Sequence, residues 1–367
     1  MPRKPRPSNS RPSGSTQAGR PTVTILGLGQ MGLVCSAILT DSDRLAADRG
    51  PAWSPRVVMW GHTPEEAGDL TQSRRSPRLP GFLLPDAIRV AMSDQAALEG
   101  ASLIVSAIPV QFTRSVFERL RPHVPPHIPI VSVAKGIENT TLLRPTQVIA
   151  DALADDPDKP ARPIGCLSGP TIAAELARCL PATMVAASDD EKLRRHIQDF
   201  FSTRWLRLYT HHDLVGVELA GAMKNVIAIA AGLLDGLHAG NNAKSALLAR
   251  GLAEISRLGV AMGASPDTFF GVAGVGDLAT SCFSPEGRNR TLGEALGAGR
   301  KLDDALARTR HVVEGVATTR SVMDLARKYR VEMPIVAAVH AILFEGLDPI
   351  EAIGMLMTRE MKAERVG

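Results

Sequence analysis

The stretch that most narrows the folds open to this chain is TVTILGLGQMGLVCSAIL, residues 22–39. A short β-type apolar run ends in a glycine-spaced turn, and a helical pattern follows at once. Gly27, Gly29 and Gly32 have the G-x-G-x-x-G spacing. Gly27 permits the tight turn, Gly29 lets a bound group approach the backbone, and Gly32 lets helix and strand pack closely. Further β-type runs follow at RVVMWG, IRVAMS, SLIVSAIP, PIVSVAKG, PIGCLSG, ATMVAAS and WLRLYT. They are continuously apolar and separated by connections long enough for crossovers, which predicts a mainly parallel sheet covered on both faces.

That pattern is an α/β fold with a doubly wound, Rossmann-like N-terminal domain. Past about residue 211 the β-type runs stop, and helical patterns broken by turns such as FGVAGVGD and LGAGRKLD run to near residue 357. A chain of 367 residues exceeds the usual single core. The expected organisation is a tail over 1–21, a dinucleotide-binding domain over 22–211 and an all-helical substrate domain over 212–360.

The tail, MPRKPRPSNSRPSGSTQAGRP, lacks the apolar residues to fold and reads as disordered. Setting aside its five basic residues, Arg3, Lys4, Arg6, Arg11 and Arg20, turns the formal net charge of +4 into −1. The folded part therefore carries no basic excess, and no nucleic-acid partner is expected. The opening has no apolar core of a secretory signal, and no uncharged apolar stretch of about 18 residues stands ready to span a bilayer. A cytoplasmic protein without membrane insertion is expected. Cys35, Cys166, Cys179 and Cys282 show neither metal nor redox spacing and read as packing residues, so no metal is expected.

The glycine loop sits at the first strand of a doubly wound domain, the context in which this spacing signals a dinucleotide; the helix N-terminus then offers free amides to the pyrophosphate. An acidic residue would usually end the second strand to hold the ribose hydroxyls. Here RVVMWGHTPEE places His62 there, which suits a 2′-phosphate at least as well, so NADPH or NADH is the expected cofactor; His62 reads equally as a surface turn residue. Residues 41–55, DSDRLAADRGPAWSP, read as a surface insertion near the adenosine end.

In the segment LAGAMKNVIAIAAG, residues 219–232, Lys224 and Asn225 are the only polar residues. If 213–235 is one helix, the neighbours of Lys224 on its own face are Ala220, Gly221, Ile227, Ala228 and Ala231, none of them polar. Such a helix has no broad solvated face and should be buried. A buried ammonium is relieved by a lowered pKa or by a carboxylate, and either outcome makes a tuned proton donor.

Other residues could complete a site. Lys135 ends the fifth strand in VAKGIE, at the edge where open α/β sheets bind ligands, though an ordinary solvated lysine would read the same way. CLSGPTIAAELA follows a strand and opens a helix at Thr171, so the Ser168 and Thr171 hydroxyls face that edge or cap the helix. GVAGVGDLATSCFSPEGRNRTLG leads from flexible glycines to Asp277 and Ser281, then to Arg288, Asn289 and Arg290. Arg288 and Asn289 could grip a phosphate, and Asp277 could pair with Lys224. Together with a cofactor fold they point to a phosphorylated small-molecule substrate.

The sequence resembles NAD(P)-dependent glycerol-3-phosphate dehydrogenase of the bacterial type. The resemblance rests on GLGQMG, MWGHTPE, RLPGFLLPDAI, VAKGIE, SGPTIAAEL, GVELAGAMKNVIAIAAGLLDGL, GVGDLATSC, GRNRTLG, VVEGVATT and VEMPI, in that order over residues 22 to about 357. It implies reversible reduction of dihydroxyacetone phosphate to sn-glycerol 3-phosphate for phospholipid synthesis, in a homodimer. It implies further that Lys224 gives and takes the proton, with Lys135 and Asp277 beside it. Gly169, Thr171, Asn225, Ser281, Gly287, Arg288 and Asn289 would line the substrate site. Gln30, Met31, Ala173, Arg288, Val312 and Glu314 would join the glycines, His62 and Lys135 in contacting the cofactor. Gln30 and Met31 stand where the family commonly has Ser or Thr and an aromatic residue, and Ser281 stands where Thr is usual. Two other expectations fit the same architecture: a dehydrogenase of 3-hydroxy acids, and a dinucleotide-sensing protein without turnover.

Overall fold

The computed structural model describes residues 19–46, 53–155, 159–309, 312–360 and 363. Most of the expected tail, and residues 47–52 of the expected insertion, lie outside the described residues.

Eight strands form one sheet: Thr22–Leu26 (β1), Arg56–Trp60 (β2), Arg89–Ala91 (β3), Ala101–Ser106 (β4), Ile130–Ser132 (β5), Ile164–Ser168 (β6), Ala182–Ser188 (β7) and Leu206–His211 (β8). Their order is β3-β2-β1-β4-β5-β6-β7-β8, and every pairing is parallel except β6 with β7. The first six strands have the doubly wound order of dinucleotide folds, whose ligand edge lies beyond the strand carboxyl ends. Register is set by fully apolar pairs such as Ile25 with Met59 and with Val105. Seven helices intervene: Gln30–Thr40 (α1), Pro64–Ser73 (α2), Asp94–Leu98 (α3), Val110–Leu120 (α4), Pro145–Leu153 (α5), Ala173–Leu176 (α6) and Glu191–Phe201 (α7). They bury Leu33, Ile38, Phe117, Ile149 and Phe200 against the two faces of the sheet, which is why its inner strands are mostly apolar, while β8, LRLYTH, alternates between buried and exposed residues.

After β8 no further strand occurs among the described residues. The helices are Leu214–Gly236 (α8), Gly240–Ala261 (α9), Asp277–Phe283 (α10), Arg288–Gly297 (α11), Leu302–Ala307 (α12), Glu314–Tyr329 (α13), Pro334–Phe344 (α14) and Pro349–Met357 (α15). The helix expected over 213–235 is α8, capped by Asp213, whose side chain accepts from the Gly216 amide. It is the central rod of this half: by length and hydropathy it could cross a membrane, yet 94% of its apolar window is buried inside the protein. An all-round apolar helix of this kind is a core helix.

Its polar side chains Glu218, Lys224, Asn225 and Asp235 are held by partners from other elements. Glu218 pairs with Arg144 and accepts from the Thr146 amide at 2.9 Å and the Thr146 hydroxyl at 2.7 Å, tying α8 to the start of α5. Burial pushes the Glu218 carboxyl up, against the pull of Arg144 and Thr146. Replacing Glu218 by Ala leaves Arg144, itself buried, without its carboxylate. The expected cost is about 3–5 kcal/mol, read as a lowered thermal midpoint; Glu218→Gln, which can still accept from Thr146, should cost less.

One packing expectation fails. Cys35, Cys166 and Cys282 are buried, but Cys179 is exposed, at a left-handed turn with φ 55°. It lies in the tight connection after α6, where the chain reverses to enter β7 and nothing covers it.

Candidate active site

The three glycines of the loop meet three different surroundings. Gly27 has φ +109° and its amide donates to the Trp60 carbonyl, and a Cβ there would lie 2.8 Å from the Ala107 carbonyl oxygen. A Cβ at Gly32 would stand 2.1 Å from the Gly27 oxygen, so any side chain would push helix from strand. A Cβ at Gly29 meets nothing within 4 Å. Gly29 is the N-cap of α1, where no side chain caps the helix and no acid occupies the first turn. The free amides of α1 thus face open space, a cradle suited to an anionic pyrophosphate.

Around this cradle Gln30 donates to the Arg78 carbonyl at 2.8 Å, and Met31 packs half-buried against the sheet core. His62 is exposed just past the end of β2. Its carbonyl accepts from Arg119 at 3.0 Å, while the Arg119 guanidinium lies 5.3 Å from the Trp60 ring and is paired with Asp94. Arg119 and Arg78 were not singled out in the sequence; both reach this edge from segments whose spacing carries no signal.

At the carboxyl ends of β5 and β6 the two lysines meet one carboxylate. Asp277, only 1% exposed, takes Lys224 Nζ on Oδ1 at 2.5 Å and Lys135 Nζ on Oδ2 at 2.7 Å. Lys224 also donates to Ser281 Oγ at 2.7 Å, and Lys135 to the Gly169 carbonyl at 2.9 Å and Thr171 Oγ1 at 3.3 Å. A π-helical turn, Val272–Gly276, runs straight into α10 and delivers Asp277 as its first residue. Burial pulls the Lys224 ammonium down to about 8, Lys135 adding to the fall and Asp277 opposing it. The buried lysine has therefore taken both forms of relief, a partner and a lowered pKa.

The phosphate-type residues stand on the next helix. Gly287 is the N-cap of α11, Arg288 donates to the Val312 carbonyl at 3.0 Å, and Asn289 donates to Asn225 Oδ1 at 3.0 Å while accepting from the Gly315 amide at 2.9 Å. The Asn225 Nδ2 donor is left buried without a protein partner. Such a donor carries a desolvation cost that a ligand oxygen would relieve. Glu314 opens α13; burial raises its carboxyl while Arg288, Lys135 and Lys224 draw it down, so it faces the same cluster. Ala173 is buried at the start of α6.

The helix expected from Thr171 begins instead at Ala173, with Ile172 at its N-cap and no side-chain cap. Gly169, at φ +132°, turns the chain so that Thr171 donates to the Gly169 carbonyl, and Ser168 Oγ is buried without a partner. The hydroxyls are thus free of capping duty. A cavity of about 910 Å³ opens on the other side of this loop, among Pro170, Thr183, Trp205 and Thr280, and holds none of the paired amines. Among the described residues no group of three or more His, Cys, Asp or Glu side chains is placed to hold a metal ion.

Residues 22–194 match the family model described as NAD-dependent glycerol-3-phosphate dehydrogenase N-terminus, and residues 213–354 match the corresponding C-terminus. The chain is 44% identical over 344 residues to glycerol-3-phosphate dehydrogenase [NAD(P)+] 1 of Salinibacter ruber, covering 94% of this chain and 97% of that protein. It is 41% identical over 343 residues to the enzyme of the same name from Anaeromyxobacter sp. strain K, covering 93% and 99%. Its structure is similar to that of glycerol-3-phosphate dehydrogenase from Coxiella burnetii, with TM-score 0.84 and 32% identity over 93% of this chain and 99% of that one.

Proposed function

The chain belongs to the NAD-dependent glycerol-3-phosphate dehydrogenase family, and from that premise we propose the residue roles by which it interconverts dihydroxyacetone phosphate and sn-glycerol 3-phosphate. It is an oxidoreductase that uses NADH or NADPH, and its product is the backbone of glycerophospholipids.

Residues 22–211 hold the cofactor and residues 212–360 most of the substrate. Gly27, Gly29 and Gly32, with the first amides of α1, fit the pyrophosphate because the cradle beside Gly29 is open and uncapped. Gln30, Met31, His62, Lys135, Ala173, Arg288, Val312 and Glu314 complete the cofactor contacts. When bound, the reduced nicotinamide supplies a hydride to the carbonyl carbon.

Lys224 gives its Nζ proton to the carbonyl oxygen as that oxygen gains charge, and takes it back in the reverse direction. Asp277 holds the amine in place and keeps part of it charged. Lys135, anchored on Gly169 and Thr171, and the unpartnered Asn225 amide orient the three-carbon substrate. Arg288 and Asn289, with Gly287 and Ser281 beside them, take the phosphate. The observation that supports this most is the single buried carboxylate shared by two lysines at the ligand edge of the sheet. We place the protein in the cytoplasm as a homodimer on the strength of the family resemblance.

The test is to mix purified protein with dihydroxyacetone phosphate and each reduced nicotinamide in turn, following the near-ultraviolet absorbance of the cofactor. Rapid loss of absorbance, competitively slowed by inorganic phosphate, is expected. Turnover of a 3-keto acid in preference, with no effect of phosphate, would assign the substrate to the carboxylate class, and cofactor binding without turnover would leave only a sensor.

A further inference from the structure

Helices α8 and α11 each carry a G-x-x-x-G pair, Gly232 with Gly236 and Gly293 with Gly297. A Cβ at Gly232 would stand 1.9 Å from the Arg290 carbonyl oxygen, and one at Gly236 2.3 Å from that of Glu294. From the other side, a Cβ at Gly293 would stand 2.0 Å from the Ile229 oxygen, and one at Gly297 2.4 Å from that of Leu233. The two main chains lie directly on each other, so their separation is set by backbone contact, which leaves the position of α11 along α8 to the charges at the crossing.

Charge fixes the same crossing. Asp235 lies three residues past Gly232 and so on the same face of α8. Its Oδ2 is 2.5 Å from Arg290 Nη2, and its Oδ1 pairs with Lys244 Nζ of α9. The Lys244 side chain is 9% exposed and the Arg290 side chain 14%, so solvent screens these pairs little. The remaining carboxylate near Arg290, Glu294, is at 3.4 Å and half exposed. Arg290 is thus pinned at its carbonyl by Gly232 and at its guanidinium by Asp235, and it directly follows Arg288 and Asn289. Lys224 stands eight residues before Gly232 on the same helix, about 12 Å along the axis at 1.5 Å per residue.

We infer that Asp235 is a positioning residue: by holding Arg290 against α8 it fixes the span between the Lys224 amine and the phosphate-gripping start of α11, and so sets the length of phosphorylated hydroxyketone that the cleft accepts. The role presupposes phosphate at Arg288 and Asn289, as proposed above.

Wild-type turnover of dihydroxyacetone phosphate tests that premise first; its absence would sink the premise whatever the variants do. Given turnover, Asp235→Asn should raise KM for dihydroxyacetone phosphate, and the calorimetric Kd for sn-glycerol 3-phosphate, by about tenfold, the effect of losing one partly buried ion pair. It should leave kcat within about threefold and the NADPH Kd unchanged. The homologue with one more methylene between carbonyl and phosphate should lose less, narrowing the discrimination between the two. Arg290→Gln should behave alike, and the double variant should be no worse than either single one, because both remove the same strut. Arg290→Lys, which retains the cation, should give a smaller rise in KM and serves if the neutral variants do not fold. Additive losses, or a fall in kcat at unchanged KM, would overturn the assignment.

Discussion

Replacing Lys224 by Met is expected to lower turnover by about 10²–10⁴-fold, the usual worth of a positioned general acid, with NADPH affinity nearly intact. The thioether chain occupies the volume of the lysine stem, and its surroundings, Ala220, Gly221, Ile227 and Ala228, are apolar or small. Asp277 would not be stranded, because Lys135 still holds its other oxygen at 2.7 Å. The loss should therefore fall on chemistry and spare the fold. Wild-type pH profiles supply a second reading. Burial sets the Lys224 ammonium at about 8, so it is charged below that pH and neutral above it. Ketone reduction, which consumes the charged form, should hold level below about 8 and fall as pH rises through it; alcohol oxidation, which needs the neutral amine, should rise over the same range. Steady-state kinetics of both directions check this. A variant retaining turnover within a factor of a few, or a reduction rate that climbs through pH 8, would remove Lys224 from the chemistry.

Asp277→Asn should have the next largest effect. Both partners of the carboxylate are ammonium donors, and an amide can accept through its oxygen alone, so its NH₂ end must face one of the lysines. One buried cation then lacks an acceptor and the two ammonium groups repel each other unscreened. Breaking a buried pair in this way costs about 3–5 kcal/mol, seen as a lower thermal midpoint. The kinetic signature is more specific: Asp277 is what raises the Lys224 amine against burial. Its removal should carry the descending limb of the reduction profile to lower pH, alongside a fall in kcat of about 10²-fold. A limb that stays in place would mean that Asp277 serves the fold alone.

Much of this site was legible along the chain because it was written as a contradiction. One ammonium in an apolar helix demands a partner, and a Gly-rich loop ending in Asp277 was the natural source; Lys224 and Asp277 are bonded as that reasoning requires. The glycine loop was equally plain, since Gly27 and Gly32 each answer a separate steric demand. Lys135 was open to two readings, and the 142-residue closure onto Asp277 sets aside only that of a lysine free in solvent. The helix expected to open at Thr171 was misplaced, because Gly169 turns the chain and delays its start to Ala173. Cys179 was misread because cysteine is so often buried.

Period and composition, properties of neighbours along the chain, determined the alternation of strands and helices, the dinucleotide turn, the central apolar helix and the lysine that needed a partner. Contacts between distant segments belonged to the tertiary structure: Arg144 with Glu218, Asp235 with Arg290, Asn289 with Asn225 and the Gly315 amide. Their physical reason is the same in each case. A polar group leaves a periodic trace only when its partner lies within a turn or two of helix or strand; when the partner is dozens of residues away, only the packing of the helices brings the two charges together.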